Sequence, residues 1–305
     1  CKSMITLDRP RDHDNHTVAD FLELLCLVNL DRQVSTDSLR DHIEDNRGDH
    51  SFRLNDDQLE DVLGQIRWRI EAFADWYPFQ LTNHGRVVEA PENLTDNQKL
   101  YVSLLVCGNL PFFEKAGRQL ITDYFELVSG LVLKELWPAS GLTITVGKNT
   151  TTLVGTKADR LNSLGKLIGA NPHIQDTDFR EGDQGDGGID LAAYFTLDQF
   201  EHQNALSALA QCACSRTDWA PKHSEISHTK LRSLLPPSAL WVEMLFTPIS
   251  FRANSGGWAV PAEVPGVTLV DRLRLVLSLI RGGTNDAPPL PEIVDTLLGF
   301  RLDLV

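Results

Sequence analysis

A glycine-rich turn that runs into an apolar segment is the feature of this sequence best suited to chemistry. The segment from Gly185 to Ala193 reads GDGGIDLAA, and it delivers Asp190 to the start of a predicted strand. Glycines permit a tight turn and a close backbone approach. A carboxylate buried without a partner is costly, and oxygen ligands suit Mg²⁺ or Mn²⁺. Asp190 is therefore the first candidate metal ligand.

A polar residue inside the next apolar segment offers a second ligand. Residues 204–214 read NALSALAQCAC, in which Gln211 interrupts an otherwise apolar strand. The amide oxygen of Gln211 and the backbone carbonyl of Cys212 can both ligate the metal that Asp190 binds. Two adjacent strands that present these groups to one point leave coordination positions for water. Such a metal can orient and activate water for in-line attack on a phosphodiester.

Further residues continue this pattern along the chain. In order, they are Phe125-Glu126, Gly185 to Asp190, Gln211, Thr247 with Phe251, and Val270-Asp271-Arg272-Leu273. The order resembles the Mrr-like branch of the PD-(D/E)xK restriction-endonuclease superfamily. That branch has a helix with Phe-Glu, a Gly-Asp-Gly-Gly-Ile/Val-Asp strand, a strand ending in Gln-x-Lys, a strand carrying Thr, and a helix opening with Asp-Arg. The resemblance covers about 115–281.

The resemblance implies a role for each matching side chain. Asp190 would be the metal-binding carboxylate, and Gln211 would replace the second acidic ligand. Glu126 would hold a metal-bound water or a second metal. Asp183 and Asp186 are further candidates for supporting the ligands.

One position departs from the pattern. The lysine expected two residues after the glutamine falls on Ala213. That lysine would polarise the attacking water and stabilise charge on the phosphorane. Three interpretations stay open: Ala213 is an engineered inactivating substitution, the lysine has migrated to another position such as Lys222, or the site is natively inactive and only binds.

Plainer interpretations exist for the same residues. The aspartates of the glycine-rich turn could form a calcium loop, although their spacing fits one poorly. Gln211 could be a satisfied core amide, and Glu126 an exposed helix residue. The Asp271-Arg272 pair could be an ordinary helix N-terminus.

The pattern of apolar residues predicts an α/β fold preceded by an all-α region. Helices are predicted over 17–48, 56–76, 96–108, 110–137, 157–170, 222–234 and 271–280, with a linker at 83–97. Strands are predicted over 142–146, 190–195, 204–214, 240–251 and 267–270. We therefore expect a helical domain over 1–110 and a nuclease domain over 111–305, with an inserted segment near 148–180. The resemblance implies a restriction-endonuclease-like mixed sheet flanked by helices.

Charge and composition bear on partners. The net charge is −14, and residues 1–100 hold 11 Lys and Arg against 20 Asp and Glu. A protein that holds DNA alone usually shows a basic face. A local basic patch, a protein partner or a homodimer is therefore expected to supply the grip on DNA. Five cysteines, an odd number, and no bilayer-length apolar run favour a cytoplasmic protein with reduced thiols and no membrane partner.

The sequence thus predicts a Mg²⁺- or Mn²⁺-dependent endonuclease acting on double-stranded DNA. The resemblance suggests a restriction or anti-phage defence system. The alternatives are a nuclease for RNA or single strands and a catalytically silent nuclease-fold module that scaffolds a complex.

Overall fold

The computed structural model describes residues 5–46, 53–147, 150–180, 187–217, 219–283 and 292–303. The chain divides into two compact units, and neither unit is one continuous segment. Unit 1 comprises Cys1–Tyr124, Pro248–Ala262 and Pro289–Val305, and unit 2 comprises Phe125–Thr247 and Glu263–Pro288. These units do not coincide with the predicted ranges 1–110 and 111–305, because the chain returns to unit 1 twice.

The described helices and strands alternate along much of the chain. The helices are α1 (Asn15–Val28), α2 (Thr36–Asp45), α3 (Asp56–Phe73), α4 (Asp96–Cys107), α5 (Lys115–Leu136), α6 (Lys157–Leu167), α7 (His228–Leu231), α8 (Arg272–Gly282) and α9 (Glu292–Gly299). The strands are β1 (Gln33–Ser35), β2 (Gln80–Thr82), β3 (Val87–Glu89), β4 (Leu142–Thr145), β5 (Leu191–Tyr194), β6 (Ser207–Cys212), β7 (Val242–Phe246) and β8 (Thr268–Val270). The predicted α/β class is confirmed. No helix in the described ranges is both long and apolar enough to cross a membrane.

A small sheet in unit 1 shows that the prediction of an all-α N-terminal region was wrong. Strands β1, β3 and β2 pair in that order, both pairs antiparallel. Val34 pairs with the buried Val88, and β3 lies inside the predicted linker 83–97. The predicted helix over 17–48 is likewise interrupted by β1. Strands of three residues are too short to display the alternation by which strands are recognised.

Helix α1 forms the centre of unit 1, because its residues from His16 to Val28 are all buried. The helix begins at Asn15, and its N-cap residue makes no side-chain capping bond. Asp20 therefore lies inside the helix and takes no part in capping it. Asp20 instead lies within the unit, as part of a buried charged cluster.

That cluster is built on Arg69 of α3, which is fully buried. Its Nη1 donates to Asp20 Oδ1 at 2.7 Å and to Glu23 Oε1 at 2.5 Å. Further hydrogen bonds join the cluster to His16, Gln65, Tyr77, Tyr101 and Asn109. Burial alone lowers the pKa of Arg69, but Glu23 and Asp20 outweigh burial and raise that pKa well above its usual value. The guanidinium therefore stays charged, as a buried ion pair requires.

The main sheet of unit 2 is mixed. Its strand order is β4-β5-β6-β7-β8. The β4–β5 and β5–β6 pairs are antiparallel, whereas β6–β7 and β7–β8 are parallel. A mixed sheet flanked by helices was predicted for this part of the chain, and the mixed sheet is present.

Helices α5 and α6 cover opposite faces of this sheet. Ala192 and Leu209 belong to a core cluster that includes Leu161 and Leu164 of α6. A Cβ on Gly130 of α5 would lie 3.6 Å from the side chain of Leu191, which neighbours Ala192. Because neighbouring side chains on a strand point to opposite faces, α5 and α6 lie on different sides. The segment predicted as an insertion thus contributes to the core through α6.

Local sequence explains where several of these helices begin. Capping boxes open α3 with Asn55 and Gln58, α4 with Thr95 and Gln98, and α6 with Thr156 and Asp159. Helix α8 is capped by Asp271, whose Oδ1 accepts from Arg274 N at 3.2 Å. The interpretation of Asp271-Arg272 as a helix N-terminus is therefore confirmed.

Candidate functional site

The glycine-rich turn ends at two residues with left-handed backbone conformations. Gly187 has φ +76° and Gly188 has φ +83°, a region that favours glycine. Ile189 follows and is fully buried, which anchors the turn to the core of unit 2. Gly185, Asp186 and Asp183 lie outside the described residues.

Asp190 is held from two sides by the neighbouring chain. Its N–H donates to Ala210 O at 3.0 Å, and its carbonyl accepts from Val146 N at 2.8 Å. The half-buried carboxylate accepts from Cys212 N through Oδ2 at 2.6 Å. This short, charge-assisted bond fixes the carboxylate against the end of β6. Asp190 is thus brought beside the segment that carries Gln211.

Gln211 is the unusual polar residue of β6. Its side chain is buried, with 5% of the residue exposed, and its Oε1 has no hydrogen-bond partner among the described residues. Its two-residue spacing from Leu209 directs it toward the face covered by α6. The interpretation as a satisfied core amide is therefore not supported. A buried unpaired oxygen in a native fold calls for an ion, a water or another ligand.

Cys212 faces the opposite side, where α5 places Glu126 and Ser129. Burial raises the pKa of the Cys212 thiol well above its usual value. The negative charges of Asp190 and Glu126 raise that pKa further, whereas Ser129 lowers it. Glu126 is half-buried rather than exposed. Asp190 and Glu126 therefore both lie close enough to raise the pKa of the Cys212 thiol, which is on the α5 face. The Gln211 side chain lies on the α6 face, to which the two-residue spacing from Ala192 also directs Asp190.

The two candidate positions for the missing lysine differ in surroundings. Ala213 is 3% exposed, and its N–H donates to Phe246 O at 2.9 Å. Lys222 lies in a 3₁₀ helix, Pro221–Ile226, and its Nζ bonds Glu225 Oε1 at 2.9 Å. A Cβ on Gly188 would lie 2.8 Å from the Glu225 side chain. Lys222 is therefore linked through Glu225 to the turn that precedes Asp190.

Residues 216–232 form a locally basic segment beside β6 and β7. The segment holds four Lys and Arg, two Asp and Glu, and two histidines. Lys230 and Arg232 are exposed, and the 3₁₀ helix within the segment packs on β6 and β7. The positive charge of this segment is concealed by the net charge of −14 of the whole chain. A count over a shorter window would have revealed it.

The side chains near Asp190 limit which ligands are available to a cation at this site. Within the described ranges, no three His, Cys, Asp or Glu side chains are grouped as metal ligands. A site built on Asp190 would therefore need the Gln211 amide oxygen and a main-chain carbonyl. Both are hard oxygen donors of the kind that Mg²⁺ and Mn²⁺ accept.

No protein-family model, curated protein or solved structure matches this chain.

Proposed function

We propose that this chain is a Mg²⁺- or Mn²⁺-dependent endonuclease that hydrolyses DNA, acting in the cytoplasm in restriction or anti-phage defence. The proposal includes a restriction-endonuclease-like arrangement of unit 2. The observation that supports it best is the buried, unpartnered Oε1 of Gln211, next to the residue whose N–H binds Asp190. A divalent cation would pair with this oxygen and the carboxylate together.

Asp190, Gln211 and the Cys212 carbonyl would hold the cation, and Glu126 would hold a metal-bound water or a second cation. When bound, a divalent cation supplies activation of water and stabilisation of charge on the phosphate. The bond from Cys212 N keeps the Asp190 carboxylate in one orientation. The partial burial of Asp190 and Glu126 strengthens their electrostatic interactions, because fewer waters screen them.

The positive residues of 216–232 support DNA as the substrate. Cations close to β6 would neutralise backbone phosphates and release counterions. Lys222 is the residue of this segment linked to the Asp190 turn, so it would supply the charge that Ala213 lacks. A homodimer or a protein partner would extend this grip, because the whole chain remains strongly acidic.

A catalytically silent scaffold is the second candidate. Two observations favour it: the buried alanine at position 213 and the net charge of −14. In that case the same side chains would bind a cation without cleavage.

The testing experiment is plasmid cleavage with Mg²⁺ or Mn²⁺. It compares the chain with Ala213→Lys, Lys222→Ala and Asp190→Asn, and uses Asp176→Asn as an exposed control in unit 2. We expect Asp190→Asn to abolish cleavage and Asp176→Asn to leave it unchanged. Loss of a charge-stabilising group typically costs about 10²–10³-fold in rate. Cleavage by the chain itself that is lost in Lys222→Ala would assign the lysine role to Lys222, whereas cleavage only by Ala213→Lys would make Ala213 a disabling residue.

Thermal unfolding with Mn²⁺ separates binding from cleavage. We expect Mn²⁺ to stabilise the chain and Asp176→Asn, but not Asp190→Asn or Gln211→Leu, because a ligand stabilises only the fold that binds it. Stabilisation without cleavage of DNA, RNA or single strands by any variant would favour the scaffold. Equal melting of all four proteins with and without Mn²⁺ would reject the metal site.

A further inference from the structure

Unit 1 contains a polar pocket, and none of its lining residues belongs to the proposed nuclease site. Its volume is about 310 Å³. Its lining residues include three cationic side chains, Arg32, Lys99 and Arg301, and two carboxylates, Glu92 and Asp295. The pocket thus carries net positive charge in a strongly acidic protein.

Arg32 is the buried wall of this pocket. The residue is 3% exposed, and its Nη2 donates to Leu298 O at 2.8 Å. Its Nε and Nη1 have no hydrogen-bond partner among the described residues. The nearest carboxylate oxygen of the pocket, Glu92 Oε2, is 4.0 Å from Nε, which is too far for a hydrogen bond. Because buried charged groups are costly unless paired, two unused donor atoms indicate a missing acceptor.

The backbone holds Arg32 firmly in place. Its φ of +52° lies in the left-handed region, which is uncommon for a residue with a side chain. Its N–H donates to Asn29 O at 3.1 Å, and its carbonyl accepts from Ala90 N at 2.9 Å and from Cys26 Sγ at 3.1 Å. The backbone of Arg32 is therefore fixed, and the bond from Nη2 to Leu298 O holds the guanidinium.

A second cation faces the same opening. Arg301 Nη2 lies 3.6 Å from Glu92 Oε2, the oxygen that also lies nearest to Arg32 Nε. Burial lowers the pKa of Arg32, and the positive charge of Arg301 lowers it further. The Glu92 side chain is 73% exposed, so it is free to leave. Glu92 thus lies at the position that an anion bridging the two guanidinium groups would take.

We infer that this pocket binds a phosphate group, either inorganic phosphate or the phosphate monoester of a larger molecule. Arg32 and Arg301 bind the phosphate oxygens, and Lys99 adds a third positive charge. Guanidinium donors match phosphate oxygens in geometry and charge. The lining residues within the described chain include no aromatic ring to stack on a nucleobase, so the phosphate itself is the recognised group. Glu92 moves aside when the phosphate binds.

The test is calorimetric titration with inorganic phosphate at constant ionic strength. The variants are Arg301→Gln and Glu92→Gln, with Arg67→Gln as the control. Arg67 suits this purpose because it is also in unit 1, half exposed and paired with a glutamate. Arg301 is preferred to Arg32 for substitution because its side chain is 27% exposed, whereas that of Arg32 is 3% exposed.

We expect saturable binding of one phosphate by the unaltered chain and by Arg67→Gln. Affinity falls at least about tenfold in Arg301→Gln, which corresponds to one lost charged hydrogen-bond partner. Affinity rises in Glu92→Gln, because the competing carboxylate is gone. Tighter binding of glycerol phosphate than of inorganic phosphate identifies a monoester as the ligand, and the reverse identifies free phosphate.

Three results would overturn the inference. The first is no saturable phosphate binding by the unaltered chain. The second is equal weakening in Arg301→Gln and Arg67→Gln, which would mean general attraction of anions. The third is acetate binding as tightly as phosphate. None of these bears on the proposed nuclease, because no residue of the pocket belongs to that site.

Discussion

The side chain of Arg69 neutralises two carboxylates inside unit 1. Asp20 and Glu23 lie on one helix and Arg69 on another, about 46 to 49 residues later in sequence. The three charges leave one excess negative charge, which Tyr77, Tyr101 and Asn109 stabilise by donating hydrogen bonds. Such a cluster fixes how α1 and α3 pack, because any slip would leave a charge unpaired.

Replacing Arg69 with methionine is expected to destabilise the protein by about 3–5 kcal/mol, because two buried carboxylates lose their counter-charge. Urea unfolding followed by circular dichroism measures the loss. Arg67→Met, two residues away at an exposed pair, should change stability by no more than about 0.5 kcal/mol. A similar small effect in both variants would show that the buried cluster contributes little.

Individual residues differ in how far the sequence reveals them. Asp190 and Gln211 stand out because each interrupts or borders an apolar strand within a short window. Arg69 and Arg32 do not stand out, because their partners are distant in sequence and only the folded chain brings them together. The proximity of Glu126 to Cys212 was implied only by resemblance, since nothing local in α5 indicates it.

Helices were easier to predict than strands. Those with capping boxes and long apolar stripes, such as α3 and α4, begin where predicted, because their information is local. Strand β1 and its partners have three residues each, and cross-strand pairing rather than local pattern creates them. The strand order β4-β5-β6-β7-β8 could not be deduced from the sequence either, because the pairing of strands depends on contacts between segments that are distant in sequence.

The glycine turn before β5 can be tested by substitution at Gly187 and Gly188. Gly188→Ala is expected to destabilise unit 2 by about 1–3 kcal/mol, because φ is +83° and the new Cβ would lie 2.8 Å from Glu225. Gly187→Ala is the matched control, since its φ is +76° but its Cβ would meet Leu161 at an ordinary 3.5 Å. Thermal unfolding compares the two. A loss in Gly187→Ala as large as that in Gly188→Ala would show that Glu225 does not pack tightly on the turn.

At the scale of the whole molecule, unit 1 combines the two ends of the chain with the internal segment Pro248–Ala262. Helix α9 packs against α1 and α4. Leu302 N donates to Val28 O at 2.7 Å, and Leu302 O accepts from Leu30 N at 2.9 Å. Arg32 Nη2 also binds Leu298 O. The C-terminal segment therefore contributes directly to the packing around α1.

A chain ending at Gly283 is expected to lose protection of α1 amides against hydrogen exchange, because α9 and the Leu302 bonds are removed. Exchange in β5 and β6, which belong to unit 2, should change much less. A chain ending at Asp303 is the control and should match the full chain. Unchanged exchange in α1 of the shorter chain would mean that unit 1 is complete without its last segment.

This arrangement has a consequence for synthesis on the ribosome. Helix α1 leaves the exit tunnel early, but α9 follows roughly 260 residues later, which at about 5–20 residues per second is a delay of some 13–50 s. During that interval the apolar surface of α1 that faces α9 stays open to chaperones and to other nascent chains. Conditions that slow translation should therefore reduce the yield of native protein.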